Sequence, residues 1–432
     1  MRVLLTGATG LIGSAVRARL VREGHEVIGV ARGAQRRMLP AAARWISLDM
    51  GRAVEPAHWQ PHLENVDAVI NCAGVLQDTP TDSTSGVHVA GASALFAACA
   101  RAGVRRVIQI SAIGVDRDRD APTAFSRTKR AGDAALTALD LDWVILRPSV
   151  VLGRQAFGGS ALLRGLAALP VVLEPPDTGP LQVVQLDDLV DTILFFLRPD
   201  APVRVALEIA GPERLSFTQI VLAYRRWLGW NNARVVRLPR WLSYAGTRLG
   251  DLAGWLGWRP PMRSTARIEI LRGAVGDPAR WTRLTGIEPQ SLSAALAAEP
   301  ASVQERWFAR LYLLKALLLA VFPAFWIVTG LIALGPGWDA GVALVRAAGI
   351  GAATAPLLVL AGALADIAVG VGIAIRRSAR LALRAALALA VGYLLAGSLL
   401  LPALWSDPLG PLVKILPILM LNLALLAILD DR

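Results

Sequence analysis

The stretch Thr6-Gly7-Ala8-Thr9-Gly10-Leu11-Ile12-Gly13 decides the fold of the first part of this chain. It follows the apolar run Val3-Leu4-Leu5, which predicts a buried strand, and residues 11–23 predict a helix. In such a strand, turn and helix, the three glycines permit a tight turn, a close approach of backbone to a pyrophosphate, and packing of helix on strand. The amides of the first helical turn then face the anion. A plain glycine turn is the alternative. We predict a dinucleotide site that includes Gly7, Thr9, Gly10, Leu11, Ile12 and Gly13.

Strands and helices alternate along the next part of the chain. Short apolar runs predict strands at residues 27–31, 44–48, 66–70, 106–110 and 143–146, and longer segments predict helices at 87–102 and 125–139. This alternation predicts an α/β Rossmann fold, which is a doubly wound parallel sheet with right-handed crossovers. Ligands bind such a sheet at the carboxyl ends of its strands.

Residues that follow the predicted strands are therefore candidates for cofactor contact. Arg32 stands where sites that prefer NAD usually carry an acid, and Arg36 and Arg37 come soon after it. Because a guanidinium attracts the 2′-phosphate of NADP, we predict NADP over NAD, the alternative being a solvated arginine loop. Asp49 is placed to reach the adenine amino group. The predicted contacts that follow the other strands are Asp49, Met50, Cys72, Ala73 and Gly74.

The composition is that of a membrane protein with a basic surface. The chain has 432 residues, a net charge of +12 and a mean hydropathy of +0.49, which is too high for an ordinary soluble enzyme. Its two cysteines, Cys72 and Cys99, lie in apolar segments and are predicted to be free core thiols in a reducing compartment. We predict no metal site, because Pro61 separates His58 from His62 and a third ligand is lacking.

Long apolar runs occur only in the last third of the chain. Residues 311–334, 350–375, 383–404 and 412–429 are each long enough to span a bilayer. A buried globular bundle is the alternative, but it would have almost no polar face. We therefore predict an all-α four-helix transmembrane bundle.

Arginines indicate how this bundle is oriented. The connection between the second and third runs contains Arg376, Arg377, Arg380 and Arg384, whereas the other connections have little positive charge. The positive-inside rule then predicts that this connection, the N-terminal domain and both termini lie on the cytoplasmic side of a bacterial-type inner (plasma) membrane. The glycines near the N-terminus interrupt any hydrophobic core of a signal peptide, so no cleaved signal is predicted.

Arginine and tryptophan are interleaved over residues 224–283, as in Arg240-Trp241 and Trp258-Arg259. Such a segment could stack on nucleic acid, but it also suits a membrane interface, where Trp lies at headgroup depth and Arg meets lipid phosphate. The apolar runs that follow favour membrane lipid as the partner, and we predict no nucleic-acid partner.

The first 300 residues resemble the short-chain dehydrogenase/reductases in their extended and atypical branch. The motifs that carry the resemblance are the glycine stretch, Asn71-Cys72-Ala73-Gly74, Ile110-Ser111-Ala112, Ser126-Arg127-Thr128-Lys129 and Leu146-Arg147-Pro148-Ser149. The same motifs resemble the group that contains the nucleotide-binding accessory subunit of respiratory complex I. The last part of the chain is similar to the DoxX-like membrane family, some of whose wider group are linked to quinone-dependent redox chemistry.

The resemblance implies catalytic roles for Ser111 and Lys129, but one residue departs from the family pattern. Active members carry Tyr-x-x-x-Lys, and Phe125 stands at the tyrosine position. In the family mechanism that phenol moves a proton, while the lysine lowers the phenol pKa and holds the nicotinamide ribose. A benzene ring donates no proton, so cofactor binding is implied while carbonyl–alcohol catalysis is in doubt. The alternatives are a strand-end cap for Ser111 and a helix-surface lysine for Lys129.

The expected domains are a Rossmann domain at 1–150 with later strands from 180–212, a small substrate lobe at 151–300 and a transmembrane domain at 305–432. Two functions fit them. The first is a membrane-anchored oxidoreductase with a hydrophobic acceptor, for which a quinone or a membrane redox protein is a candidate partner. The second is a catalytically degenerate NADP(H)-binding sensor or scaffold. Asp366, inside the second apolar run, is either a proton-relay or quinone-site group or a packing residue, with Asn422 as a candidate partner.

Overall fold

The computed structural model describes residues 1–33, 43–117, 123–231 and 233–429. The chain divides into two compact units. The first contains residues 1–251 and 260–309, and the second contains residues 252–259 and 310–432. We describe each unit by itself.

A seven-stranded parallel sheet forms the centre of the first unit. The strands of the chain are β1 Arg2–Thr6, β2 Glu26–Ala31, β3 Ala43–Ser47, β4 Ala68–Asn71, β5 Arg106–Ile110, β6 Asp142–Pro148, β7 Val150–Leu152, β8 Val171–Glu174, β9 Leu181–Gln185, β10 Val205–Ile209, β11 Arg214–Leu215 and β12 Arg234–Arg237. The strand order in the large sheet is β10-β6-β5-β4-β1-β2-β3. The order reverses between β1 and β4, which is the switch point where doubly wound folds bind their ligands. The predicted parallel sheet is confirmed.

Helices cover both faces of this sheet. The described helices before residue 299, some of which belong to the smaller lobe, are α1 Leu11–Arg22, α2 Ala92–Ala102, α3 Ala124–Thr137, α4 Gly159–Ala167, α5 Leu186–Phe195, α6 Phe217–Trp227, α7 Arg240–Trp255, α8 Ser264–Arg272, α9 Ala279–Thr285 and α10 Leu292–Ala298. A π-helical turn at Gly86–Gly91 leads directly into α2. One face of the sheet buries Val16 and Leu20 of α1, and the other buries Leu95 and Phe96 of α2. Strands buried on both faces explain why their sequences are continuous apolar runs.

Helix α5 belongs to the Rossmann core. Leu189 and Ile193 of α5 are fully buried in the same apolar cluster as Val16 of α1. Trp281 is also buried there, and its indole donates to the Thr192 hydroxyl at 2.9 Å. This part of the chain therefore completes a face of the sheet.

The smaller lobe of the first unit has a core of its own. Strands β11, β9 and β7 form one small sheet, and β12 pairs with β8 in another. Phe217, Ile220 and Tyr224 of α6 are buried in the cluster that these elements share with α4 and α10. The guanidinium of Arg164 lies 5.5 Å from the centre of the Tyr224 ring.

The second unit is helical. Its helices are α11 Val303–Leu334, α12 Trp338–Ala347, α13 Thr354–Ala374, α14 Ala379–Leu400 and α15 Pro411–Ile428, the first of which begins in the first unit. Among the described residues, four helices are long and apolar enough to cross a membrane, namely α11, α13, α14 and α15. The prediction of four apolar helices is confirmed. We predicted only apolar runs long enough to span a bilayer, so the short helix α12, which has 10 residues, was not predicted.

The polar residues inside this bundle are not paired as the sequence predicted. Asp366 of α13 is 4% exposed and accepts a hydrogen bond from the Tyr393 hydroxyl of α14 at 3.0 Å. Asn422 of α15 is fully buried, and its amide has no hydrogen-bond partner among the described residues. The expected pairing of Asp366 with Asn422 is wrong, because the phenol of a neighbouring helix reaches the carboxyl group first.

Candidate functional site

The glycine loop between β1 and α1 leaves room for little except backbone. Gly7 has a φ of +64°, and a Cβ there would lie 2.7 Å from the carbonyl oxygen of Cys72. A Cβ on Gly13 would lie 2.2 Å from the carbonyl oxygen of Gly7, whereas one on Gly10 would lie 3.3 Å from it. Gly10 is the N-cap of α1 and supplies no side-chain cap. Backbone amides at an uncapped helix start suit a pyrophosphate, so the residues present fit a dinucleotide.

A buried chain of polar side chains holds the strand ends on which this loop rests. The Thr6 hydroxyl donates to Asn71 Oδ1, and Asn71 Nδ2 donates to Gln109 Oε1 at 2.7 Å. All three residues are about 1% exposed. They join β1, β4 and β5 at the switch point, and a fully paired polar network of this kind fixes one arrangement of the strands. We did not predict this network from the sequence, although polar residues at the ends of buried strands are a visible signal.

Arg32, at the end of β2, lies beside an acidic residue from a distant part of the chain. Its Nη1 donates to Asp82 Oδ1, and the Asp82 side chain is 8% exposed. Arg36 and Arg37 lie outside the described residues. A phosphate ligand for Arg32 would therefore compete with the Asp82 carboxylate.

The two residues predicted after β3 differ in their surroundings. Asp49 Oδ1 accepts a hydrogen bond from the Gly51 amide at 3.1 Å. Met50 is 6% exposed, and its side chain belongs to the core on the α2 side of the sheet. Its carbonyl oxygen would lie only 2.0 Å from a Cβ on Gly91. Asp49 Oδ2 lies 4.0 Å from Arg52 Nε, so a ligand would share this oxygen with an exposed guanidinium, while Met50 packs in the core next to the strand end.

Lys129 and Ser111 take part in a buried charged cluster behind the strand ends. Lys129 Nζ donates to the Ile110 carbonyl oxygen at 2.8 Å, and the Ser111 hydroxyl donates to Asp133 Oδ2 at 2.8 Å. Arg147 Nε donates to the same Asp133 oxygen at 3.2 Å. Our sequence analysis missed Asp133, although it lies one helical turn after Lys129 on the same face of α3. The Ser111 hydroxyl proton is thus directed to a buried carboxylate.

Burial changes how this cluster titrates. Removal from water lowers the pKa of Lys129 to about 8, although the nearby Asp133 opposes the change. The pKa of Asp133 is raised by burial, and Arg147 acts against that shift. Lys129 is therefore close to its titration point at neutral to mildly alkaline pH, where a proton is easily gained or lost.

The pKa of Lys129 can be tested by comparing how the free energy of unfolding changes with pH in the wild-type protein and in Lys129→Met. Between pH 8 and pH 10.5 the unfolded chain holds a proton at Lys129 that the folded chain has released, so wild-type stability rises with pH across this window. We expect the wild type to gain up to about 3 kcal/mol relative to the variant. The measurement is the unfolding of the full chain in detergent at several pH values.

The matched control is Arg127→Met, which removes an exposed cation from the same helix. It should follow the wild-type pH profile. Parallel profiles for wild type and Lys129→Met would show that Lys129 keeps an ordinary pKa in the folded protein.

His88 lies between the β4 loop and helix α3. Its Nε2 accepts from the Val75 amide at 3.0 Å, and its Nδ1 lies 2.8 Å from the Thr128 hydroxyl. Because that hydroxyl donates to the Ala124 carbonyl oxygen, Nδ1 carries the imidazole proton. Burial, followed by the charge of Lys129, lowers the pKa of His88 to about 2. His88 is a neutral positioning residue, and the Phe125 ring packs edge-on against it at 5.7 Å.

Helix α8 covers the start of α3, next to Phe125. Glu269 accepts hydrogen bonds from the hydroxyls of Thr123 and Ser126, the latter at 2.6 Å. Arg272 Nη2 donates to the Ile113 carbonyl oxygen at 3.1 Å. A segment more than 140 residues away in sequence thus closes this side of the site, and sequence reasoning gave no sign of it.

The two cysteines are free thiols. Burial raises the pKa of both Cys72 and Cys99 to about 12. Cys72 follows β4 beside Gly7, while Cys99 packs in the core on the α2 side of the sheet. Among residues 1–33, 43–117, 123–231 and 233–429, there is no group of three or more His, Cys, Asp or Glu side chains that could hold a metal ion.

The sheet order, the glycine loop at the switch point and the buried lysine behind it define a Rossmann domain of the NAD(P)-binding class. Comparison with known families agrees with this class. Residues 7–164 match the family described as NAD(P)H-binding, and residues 323–423 match the DoxX-like family. The chain thus joins an NAD(P)-binding domain in its N-terminal part to a DoxX-like domain at its C-terminus. This match and the four apolar helices indicate a multi-pass membrane protein.

Curated relatives match about half of the chain. An uncharacterized protein of Mycobacterium tuberculosis is 28% identical over 232 residues, and the match covers 52% of this chain but only 23% of that protein. A photosystem II assembly factor of Synechocystis is 24% identical, and the match covers 55% of this chain and 71% of that protein. The ceramide reductase of Caulobacter vibrioides is 25% identical, and the match covers 55% of this chain and 73% of the reductase.

Solved structures with the same fold include nucleotide-sugar epimerases. The UDP-glucose 4-epimerase of Thermotoga maritima superposes with a TM-score of 0.53 at 16% identity, covering 68% of this chain and 96% of the epimerase. The UDP-glucuronic acid 4-epimerase of Bacillus cereus, solved with UDP-glucuronic acid and NAD, superposes with a TM-score of 0.53 at 18% identity. The match covers 72% of this chain and 100% of that epimerase. These likenesses confirm the predicted fold.

Proposed function

We propose that this protein is a membrane-anchored, NAD(P)H-binding atypical short-chain dehydrogenase/reductase that acts on a hydrophobic or membrane-derived substrate. The observation that carries the proposal is the glycine cradle with the buried Lys129, joined in one chain to four apolar helices. In functional terms, residues 1–150 bind the nucleotide, 151–300 form the substrate lobe and 305–432 form the membrane anchor. The relative named ceramide reductase supports a lipid as the substrate class.

The cofactor residues divide into a phosphate group and a nicotinamide group. Gly7, Gly10 and Gly13, with Thr9, Leu11 and Ile12 beside them, would hold the pyrophosphate through backbone amides. The backbone of 72–74 would lie under the ribose and nicotinamide, with Lys129 close by. Lys129 Nζ lies 3.5 Å from where a Cβ on Gly74 would stand, so residue 74 must stay small for the ammonium to reach a sugar hydroxyl.

The bound cofactor supplies a hydride, and the reduction of a carbonyl to an alcohol also needs a proton. Phe125 has no proton to give, and Ser111 donates its proton to Asp133. Lys129 has a pKa near 8 and can hold or release a proton, but it also binds the Ile110 carbonyl oxygen. Water or a group on the substrate would therefore deliver the proton, and the chain's residues would orient the reactants.

Arg32 supports NADP as the preferred cofactor. We expect Arg32→Asp to weaken NADPH binding about 10- to 100-fold, because the variant loses a charge-assisted contact with the 2′-phosphate. NADH binding should change little. Conversely, Asp82→Asn should tighten NADPH binding, since the carboxylate that competes for Arg32 is removed. Titration of detergent-solubilised protein with both nucleotides measures the ratio.

The exposed Arg22, in the last turn of α1, offers a matched control for this test. Arg22→Asp changes the net charge by the same amount at a distance from β2 and should leave the NADPH-to-NADH ratio unaltered. If Arg22→Asp and Arg32→Asp weaken NADPH binding equally, then overall charge, and not a contact with the 2′-phosphate, determines the preference for NADPH over NADH.

A cytoplasmic position is proposed for the nucleotide-binding domain. An even number of spans puts residues before α11 and after α15 on the same side as the connection at 375–378. Arg376, Arg377 and Arg380 are in or beside that connection. The positive-inside rule assigns such arginines to the cytoplasm, where NADPH is available.

The second candidate function is a catalytically degenerate NADP(H)-binding sensor or scaffold, and Phe125 favours it. The two functions are separated by purifying the full chain in mild detergent, identifying the nucleotide that comes with it, and adding membrane extract or a quinone. Oxidation of bound NADPH would support the oxidoreductase. Stable binding without oxidation would support the sensor, and protein that retains neither nucleotide would contradict both.

A further inference from the structure

Helix α7 carries its large apolar residues on the outside. Five of them are strongly exposed: Trp241 at 70%, Leu242 at 43%, Leu249 at 67%, Leu252 at 55% and Trp255 at 68%. At 100° per residue these side chains share one face of the helix. The opposite face, which contains the buried Thr247, Gly250 and Gly254, consists of small residues. A helix of a soluble domain has the reverse arrangement.

Close packing on the inner face explains why the large residues must point outward. A Cβ on Gly250 would lie 1.8 Å from the Met262 carbonyl oxygen, and one on Gly246 would lie 3.3 Å from the end of the Met262 side chain. The Thr247 hydroxyl donates to the Tyr244 carbonyl oxygen at 2.9 Å, within the helix itself. The inner face therefore has no space for Trp or Leu, and the outer face carries these large apolar residues together with the exposed Arg248.

Residues 252–259, which are the end of α7 and the four residues after it, belong to the second unit, and two of those four residues form hydrogen bonds at the end of a proposed membrane span. The Trp258 indole donates to the Ala374 carbonyl oxygen at 2.7 Å, and Ala374 is the last residue of α13. The Arg376 amide donates to the Leu256 carbonyl oxygen at 3.0 Å. The chain that leaves α7 is thus held at the level where α13 ends, which is the boundary between hydrocarbon and headgroups if α13 spans a bilayer.

The charges of this region suit an anionic lipid surface. Helix α7 contains Arg248 and also Arg240, whose Nε lies 2.9 Å from Asp177 Oδ2, and Arg259 follows the helix. Asp251 is its only acid, and that carboxylate accepts hydrogen bonds from Gln77 Nε2 at 2.8 Å and from the Ser264 amide at 3.2 Å. Tryptophan at both ends of the apolar face matches the preference of indole for the headgroup region.

We propose that the outer face of α7 lies in the lipid–water interface of the leaflet that carries the 375–378 connection. Its partner is the surface of an anionic phospholipid bilayer. Amphipathic helices bind such surfaces through buried apolar area and through attraction of basic residues to anionic headgroups. The inference rests on the membrane attachment in the proposed function, but it adds a second, separate contact with lipid.

Spin labels at single cysteines test the proposal in the full chain, reconstituted in nanodiscs of phosphatidylcholine and phosphatidylglycerol. Leu249→Cys and Leu252→Cys place the label on the outer face. Arg52→Cys, at a side chain that is 91% exposed, is the aqueous control, and Leu364→Cys on α13 is the membrane control. The native thiols, whose pKa burial raises to about 12, stay largely unlabelled at neutral pH.

The readout is the accessibility of each label to oxygen, which concentrates in lipid, relative to a water-soluble nickel chelate. We expect labels at 249, 252 and 364 to favour oxygen and the label at 52 to favour nickel. Nickel preference at 249 and 252, with oxygen preference at 364, would overturn this proposal and leave the membrane anchor intact. Nickel preference at all positions would overturn both. Dipolar broadening between labels at 249 would also overturn it, because a second copy of the chain would then cover the face.

Discussion

Phe125→Tyr is expected to raise the rate of NAD(P)H-dependent carbonyl reduction by about 10²–10⁴-fold, the usual contribution of general acid catalysis. Position 125 lies one helical turn before Lys129, and its ring is held edge-on to His88. A phenol in that place would add the proton donor that the site lacks. The measurement is the steady-state oxidation of NADPH by detergent-solubilised protein with a panel of aldehydes and ketones, including long-chain ones.

The double variant Phe125→Tyr, Lys129→Met is the control for this gain. In the family mechanism the lysine lowers the phenol pKa, so the double variant should lose most of what the single variant gains. A Phe125→Tyr protein that binds NADPH with unchanged affinity and reduces nothing on the panel would argue against the oxidoreductase and for the sensor or scaffold.

Gly13→Ala is expected to cost about 1–3 kcal/mol of folding stability, the range for forcing extra atoms into a packed site. The new Cβ would lie 2.2 Å from the Gly7 carbonyl oxygen, so α1 would have to move away from β1. Nucleotide binding should be lost with it. Thermal unfolding of the full chain, with and without saturating NADPH, measures both effects because a ligand stabilises only the state that binds it.

Gly10→Ala separates cofactor contact from folding. Its Cβ would lie 3.3 Å from the Gly7 carbonyl oxygen, a contact that a small shift relieves, so stability without nucleotide should stay close to that of the wild type. The stabilisation by NADPH should nevertheless disappear, because a methyl group would occupy the approach of the pyrophosphate. Gly159→Ala, at an open position, should change neither quantity. Full NADPH stabilisation of Gly10→Ala would place the pyrophosphate elsewhere.

Local patterns explain how far the sequence could predict this molecule. The glycine stretch and the apolar strands specify the parallel sheet because each signal lies within a few adjacent residues. The four apolar helices are equally local, since length and composition decide whether a helix can span a bilayer. Helix α12 was missed because it is short and amphipathic, which periodicity rarely separates from a loop.

Contacts between distant residues explain what the sequence could not predict. Glu269 and Arg272 reach the start of α3 from a helix whose position depends on the packing of the whole smaller lobe. Asp366 could have paired with any polar group in the bundle, and only the structure selects Tyr393. In contrast, Asp133 was within reach of prediction, because buried residues one turn apart on a helix share a face. Site residues beyond the family motifs came mainly from such long-range packing.

The wide turn at Gly86–Gly91 has an evolutionary consequence. A π-helical turn contains one residue more than an α-helical turn, so the insertion of a single amino acid into an α-helix is enough to form it. Residues on either side keep their orientation toward the sheet, and the added length is absorbed locally around His88. Homologues with an uninterrupted helix should therefore align with this chain only if a one-residue gap is opened within 86–91, and their counterpart of His88 will face a different direction.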